Sequence, residues 1–358
     1  MSNHKKNILF VCPYPYDEAP SQRFRFEQYL PYLKKQGYGY KLSTFYSEIA
    51  WKNLYKEGKT AFKVLAVLSG FLRRKLLLFT LWKYDFVFIH REATPLGPPF
   101  FEWFVAHIWR KKIIYDFDDA IWLADPSEEG SFKSIIKWKS KVRKTCKWSH
   151  RVSCGNEYLA EFARQYNTDV IVNPTTIDTN YHVAKANIRN KDLITVGWTG
   201  THSTLPYLQH IVPSLIEAHR EQAFRLVVIA NKPPNFKFPE LDFIEWSKKS
   251  EVEDLQKIDI GLMPLSEDLW SEGKCGFKAL QYMGIGIPVL GSPVGVNKKI
   301  IPNGGFLITE KEDWGMKLKA LMQETSLREA LGEQGRMYVK KHFSIESNLN
   351  NFLYLFRS

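Results

Sequence analysis

Cysteine is scarce in this chain. Four occur in 358 residues, Cys12, Cys146, Cys154 and Cys275, and no two stand in CxxC spacing. That pattern excludes a zinc ribbon and offers no disulfide framework, so all four read as free thiols. Long apolar runs are also missing. No stretch of about 18 apolar residues occurs, which argues against a spanning helix. The first residues, MSNHKKNILFVCPYP, enter a strand without a signal-peptide pattern, so a cytoplasmic location is the expectation. Internal repeats and low-complexity segments are absent as well.

What is present points to a folded protein with an uneven charge. Hydrophobic residues make up 44% and charged residues 25%, the balance of a globular chain, and the length suits two domains better than one core. The net charge is +12, and residues 1–190 carry all of it, with 30 Lys and Arg against 18 Asp and Glu. Residues 191–358 are neutral, 20 against 20. Two runs are densest: Arg73, Arg74 and Lys75 between VLAVLSGFL and LLLFTLW, and KSIIKWKSKVRKTCK from Lys133 to Lys147. Both interleave cations with large apolar residues, the pattern of helices that lie on anionic membranes, although a solvated face beside a core-facing stripe gives the same pattern. A nucleic-acid partner would also attract +12, but a neutral second half does not supply a continuous basic groove, so none is expected.

Short apolar segments alternate with helical ones in both halves, which predicts two doubly wound α/β domains. NILFVC from Asn7, FVFIH from Phe86 and KIIYDF from Lys112 read as buried strands in the first half, with a helix over Phe24–Lys35. Strands are expected near Arg225–Ile229, Ile260–Met263 and Val289–Gly291 in the second, with helices at Leu205–Ala218 and Phe277–Gly284 between them. The expected division is 1–180 and 190–342, joined by an Asn-, Asp- and Thr-rich linker around Thr176–Asp192, and a final helical stretch at 343–358.

The segment from Glu272 to Val294, EGKCGFKALQYMGIGIPVLGSPV, carries the most chemistry. A helix beginning after Lys274, Gly276 and Lys278 directs its positive dipole end toward whatever lies before it, an arrangement suited to a diphosphate. The segment resembles the donor-binding signature of retaining GT-B glycosyltransferases of family 4, and nearly the whole chain is similar to that family. In the family a second Glu lies on the helix; here Gln281 occupies its place, nine positions after Glu272 rather than eight.

The resemblance implies a GT-B fold, two Rossmann-like domains facing each other across a cleft, with acceptor bound by the first and nucleotide-sugar by the second. It implies glycosyl transfer from a nucleotide-diphosphate sugar to a hydroxyl with retained configuration. The acceptor would be a glycan or lipid-linked glycan of surface polysaccharide or glycolipid assembly, on the inner membrane face. The nucleotide-sugar is a substrate, and neither a cofactor nor a metal is expected. A sugar-nucleotide epimerase on the same fold is the alternative; incubation with donor alone separates the two.

Further donor contacts are expected at VGWTGTHSTLPYL, where Gly200 and Thr201 lie between strand and helix and allow close backbone approach to a phosphate. The Arg and Lys that relatives carry just downstream are absent, which leaves the positive charge to Lys274 and Lys278, or to Arg23 and Arg25 reaching across. In FIEWSKKSEVEDL, Trp246 would stack on the base and Ser247 would read its edge. In the first half, Ser21, Arg23 and Arg25 near a helix start, and His90 and Arg91 at a strand end, are candidates for acceptor or phosphate. YDFDDAIW crowds Asp116, Asp118 and Asp119 at a strand end, and like-charge repulsion is expected to raise at least one of their pKa values. Asp118 and Asp119, with Glu272, are therefore the catalytic candidates. Asp-x-Asp-Asp also invites a metal reading.

Overall fold

The computed structural model describes residues 6–54, 56, 58–123, 138–185, 193–310 and 313–357. They form two compact units: 1–175 with 348–358, and 176–347. The first unit carries 29 Lys and Arg against 17 Asp and Glu, and the second 21 against 21, so the whole charge excess lies in the first.

In the first unit, strands β1 (Asn7–Cys12), β2 (Gly39–Thr44), β3 (Phe86–His90), β4 (Lys112–Phe117), β5 (Arg151–Cys154) and β6 (Val170–Val172) form one parallel sheet ordered β2-β1-β3-β4-β5-β6. Strands covered on both faces read as unbroken apolar runs, and β1 and β3 do so, with five buried residues each. Phe10 of β1 and Phe88 of β3 pack with Phe26 and with Phe356 from the chain's last turn. Tyr29 stacks on Phe352 at 4.3 Å. The final stretch, 348–358, is thereby a layer of the first unit's core.

The second unit repeats the plan with β7 (Thr195–Gly200), β8 (Arg225–Ala230), β9 (Leu241–Glu245), β10 (Ile260–Met263), β11 (Val289–Gly291) and β12 (Gly305–Leu307), ordered β12-β11-β10-β7-β8-β9. Strand order reverses beside β7 here and beside β1 in the first unit. In open α/β sheets, ligands bind outside the carboxyl ends of the strands at such reversals. The relevant loops follow Cys12 and His90 in one unit, and Gly200 and Met263 in the other.

Three expectations need correction. The helix expected over Phe24–Lys35 is replaced by a 3-10 turn, Glu27–Tyr29, and a helix, Leu30–Lys35, preceded by a separate short helix, Pro20–Arg23. Phe24, Arg25, Phe26 and Glu27 are all buried, and one helix face cannot bury four successive residues. Residues 176–185 of the expected linker belong to the second unit, where Lys185 Nζ donates to the Ile258 carbonyl at 2.6 Å; the rest of that linker lies outside the described residues.

The third concerns the basic run at Arg73. It lies on helix Thr60–Leu78, but both arginines turn inward. Arg73 donates to the carbonyls of Thr44 (2.8 Å) and Phe45 (3.0 Å). Arg74 is buried and donates to the carbonyls of Cys12, Ser43 and Ala93 and to Ser43 Oγ, all within 3.1 Å. The second run is partly outside the described residues; within it Lys141 is buried against Glu92 at 2.6 Å and the Thr94 carbonyl at 2.7 Å.

Candidate functional site

At the carboxyl end of the first sheet, His90 and Asp116 are register partners on β3 and β4, and His90 Nδ1 lies 2.8 Å from Asp116 Oδ2. The Arg25 guanidinium pairs with Asp116 Oδ1 and donates to the Asn173 carbonyl. Ser153 Oγ on β5 donates to Asp116 Oδ1 at 2.6 Å. Burial opposes a charged Asp116, yet Arg25 and His90 hold its carboxyl well below the usual range. Arg25 and His90 were expected to meet an acceptor. Neither offers surface to one, because Asp116 draws both inward; His90 Nε2 is buried with no hydrogen-bond partner.

Arg91 is placed differently. Its backbone is left-handed, at φ +57°, and is held by its N–H donating to the Asp116 carbonyl (2.7 Å) and by Tyr115 Oη donating to its own carbonyl (2.8 Å). That turn swings the guanidinium across two carboxylates, Nε to Asp118 Oδ1 and Nη2 to Asp119 Oδ2, both at 2.7 Å. The expected upward pKa shift is overturned at Asp116 and Asp118. Burial resists the charge on Asp118, but Arg91 outweighs it and lowers the pKa. Arg25 faces Asp116 and Arg91 is shared by Asp118 and Asp119, so Asp118 is a poor proton acceptor. Among the described residues, no group of three or more His, Cys, Asp or Glu side chains is arranged to hold a metal.

The loop after β1 contains a group that sequence reasoning missed. Glu27 is buried and accepts from Gln22 Nε2 (2.9 Å) and the Asp17 N–H (2.8 Å), while Gln22 also accepts from the Tyr14 N–H at 2.8 Å. Burial pushes its carboxyl up to about 7, against the Gln22 hydrogen bond and the Arg23 charge. Glu27 falls within the helix expected over Phe24–Lys35 and was assigned no role; the break after Arg23 brings it inside. Arg23 pairs with Asp17 at 3.3 Å and covers the Phe24 ring; Ser21 is half-buried beside it. A cleft of about 580 Å³ lies along the edge strand β2 and meets this loop only at Pro15 and Tyr16.

In the second unit, helix Phe277–Gly284 starts at Gly276, whose φ of +68° and close neighbours suit glycine: a Cβ there would sit 2.8 Å from Ile300 Cδ1. The helix is fixed to the end of β7 because Tyr282 Oη accepts from the Thr199 N–H at 2.9 Å and its ring fills the space above Gly261. Lys278 Nζ lies 5.6 Å from the centre of the Trp198 ring, one turn before Tyr282. The loop after Gly200 is internally bonded: the Thr201 N–H donates to Thr204 Oγ1 (3.2 Å), the Thr204 N–H to the Thr201 carbonyl (2.9 Å), and Thr201 Oγ1 meets Ser203 Oγ at 2.8 Å.

Glu272 ends a short helix, Leu269–Glu272, capped by Asp268. Ser271 Oγ donates to Tyr207 Oη at 3.1 Å, which joins this helix to the one after the Gly200 loop. Glu272 is half-buried, 3.6 Å from Lys298 Nζ, and Lys274 covers the Trp270 ring. Gly200, Thr201, Glu272, Lys274, Gly276 and Lys278 thus gather at the carboxyl ends of β7 and β10. Gln281, at the place of the family's second Glu, does not join them on the surface: it is buried, with Nε2 3.4 Å from Glu251 Oε1, and so is turned away from a donor. Trp246 and Ser247 follow β9, two strands away, with the Trp246 N–H donating to the Ala230 carbonyl at 3.0 Å.

No protein-family model and no curated protein sequence matches the chain. Solved structures do. Sucrose-phosphate synthase from Thermosynechococcus elongatus superposes with a TM-score of 0.72 at 11% identity, over 99% of this chain and 98% of that one. The catalytic domain of starch synthase IV from Arabidopsis thaliana, bound to ADP and acarbose, gives 0.67 at 10% identity, over 98% of each. A glycosyltransferase from Rickettsia africae ESF-5 gives 0.65 at 13%, again over 98% of each. The fold is therefore the two-domain, Rossmann-like α/β fold of GT-B glycosyltransferases.

Proposed function

We propose that the protein is a glycosyltransferase that takes a sugar from a nucleotide diphosphate, held by the second unit, and transfers it to a hydroxyl presented by the first. The observation that carries this reading is the placement of Gly276, Lys274 and Lys278 at a helix N-terminus beside the end of β7. The helix start and the two lysines flank the end of β7 at the strand-order reversal, Lys274 over Trp270 and Lys278 over Trp198, where a diphosphate would meet both dipole and positive charge. Similar structures described as complexes with UDP-glucose and with ADP support it.

In the proposed reaction the bond between the anomeric carbon and the diphosphate oxygen breaks as the acceptor oxygen bonds to that carbon. The lysines and helix end stabilise the charge growing on the departing diphosphate. The Gly200 loop, bonded to itself before any ligand arrives, needs little reordering to meet the phosphates. Glu272 would bind sugar hydroxyls. Arg91, its guanidinium oriented by Asp118 and Asp119, is the first unit's candidate for holding the acceptor. Retained configuration and a place in surface polysaccharide or glycolipid assembly are part of the same proposal.

A thermal-shift panel of UDP, GDP, ADP and their sugars tests it, since ligand at 100 times its Kd stabilises by about 2.7 kcal/mol. Stabilisation by at least one nucleotide, reduced in Lys278→Ala, is expected. No shift with any of them would overturn the donor reading. Proton NMR of the product anomer then decides retention.

A further inference from the structure

Helix Thr60–Leu78 is inside out. Its inward side presents Gly70, Arg73, Arg74 and Leu77, with Gly70 so close to the Phe45 ring that a Cβ would lie 2.5 Å from it. The arginines spend their donors on the carbonyl ends of β1, β2 and the loop after β3. The outward side, at spacings of three and four, is Leu65, Leu68, Leu72, Leu76 and Phe79, continued by Trp82, and each is 56–70% exposed. A surface helix ordinarily does the reverse, burying its leucines and hydrating its arginines. Six large apolar side chains on one face exceed scattered exposure and mark a surface that meets something apolar.

We infer that this face docks on an anionic lipid bilayer. The charge around it selects that occupant. Lys59 before the helix and Lys75 and Lys83 near its end are exposed, and the whole unit carries the protein's +12. Leucines with lysines at their edge and an exposed Trp are the composition of a helix lying in the headgroup layer, where apolar burial and attraction to anionic lipid add. A second copy of the chain is the poorer partner, because a two-fold pairing of this face sets the same lysines against one another. No described helix is long and apolar enough to cross a membrane, so the contact is a docking and not a span. The inference narrows the expected membrane contact from a basic half to one helix face. It stands on the exposure of that face and not on the donor site.

The test is cosedimentation of the full chain with sucrose-loaded vesicles, of phosphatidylcholine alone or with about 30% phosphatidylglycerol. Binding to the anionic vesicles is expected, weakened by salt as screening predicts. Each leucine withdrawn from water contributes about tenfold in partitioning, so Leu68→Glu with Leu72→Glu should reduce binding at least about a hundredfold. Both side chains are exposed, so the double variant should melt with the wild type. Lys75→Ala with Lys83→Ala should weaken binding to anionic vesicles only. Failure of the wild type to bind, or binding that survives L68E/L72E, overturns the inference. So does a wild-type dimer in light scattering that L68E/L72E converts to monomer while lipid binding is absent. Nucleotide-induced thermal shift, measured on the same variants, should be unchanged, which separates failure here from failure of the donor reading.

Discussion

Arg25 and Asp116 form an ion pair with almost no exposure to solvent, joining the loop after β1 to the end of β4 across 91 residues of sequence. Removing one partner strands the other charge in the interior. Asp116→Ala should therefore destabilise the first unit by about 3–5 kcal/mol, read by urea denaturation. The carboxyl's pKa is depressed by folding, so its stabilisation is present above the ordinary carboxylate value near 4 and is lost as pH falls below it. The variant should lose that acid limb. A loss under 1 kcal/mol would mean that the pair contributes little.

Glu27 predicts the opposite pH dependence. Burial raises its carboxyl from 4.5 to about 7, so the folded state holds a proton that the unfolded chain releases. Stability from this group is full below about 4.5 and is lost as pH rises to about 7, by roughly 3 kcal/mol. Glu27→Gln should flatten the dependence between pH 5 and 7 in thermal unfolding. An unchanged slope would remove Glu27 as its source.

Much of the fold was legible because parallel strands covered on both faces leave unbroken apolar runs: NILFVC and FVFIH need no partner to be read. The helix Phe277–Gly284 was legible from its flanking glycines. The orientation of side chains at the sheet ends was not. Arg25, His90 and Gln281 are polar residues in suitable places, and nothing local says that Asp116 or Glu251, 91, 26 and 30 residues away, will draw them inward. Likewise, YDFDD read alone is three repelling carboxylates. Only the fold, which brings Arg25 to Asp116 and Arg91 to Asp118, reverses the sign of the shift at those two. The inverted helix failed for a related reason: its arginines are bound by strand-end carbonyls, which the one-dimensional pattern does not contain.

Gly276 links backbone strain to the donor site. Replacing it with alanine forces a Cβ-bearing residue to hold φ +68° and places that Cβ 2.8 Å from Ile300 and 3.0 Å from Val296. The expected cost is about 1–3 kcal/mol, since left-handed strain and crowding act together. Because the same residue begins helix Phe277–Gly284, the nucleotide-induced thermal shift should shrink as well. A variant that is destabilised but binds nucleotide as before would confine Gly276 to a structural role.

Lys278 permits a sharper separation of binding from stability. Its ammonium covers Trp198, a buried ring, and a cation over an indole contributes only about 0.5–1 kcal/mol when exposed to water. Lys278→Ala should thus leave the unfolding midpoint within a few degrees of the wild type. Against a diphosphate the same ammonium is a charge-assisted donor, worth about 1.5–3 kcal/mol. Nucleotide affinity in titration calorimetry should therefore fall by about tenfold to a hundredfold. Lys278→Arg restores the charge but on a planar, longer group, and should recover affinity in part. If alanine lowers stability and affinity together, and arginine rescues neither, then Lys278 serves the packing of Trp198 and the positive charge at the proposed diphosphate site must come from Lys274.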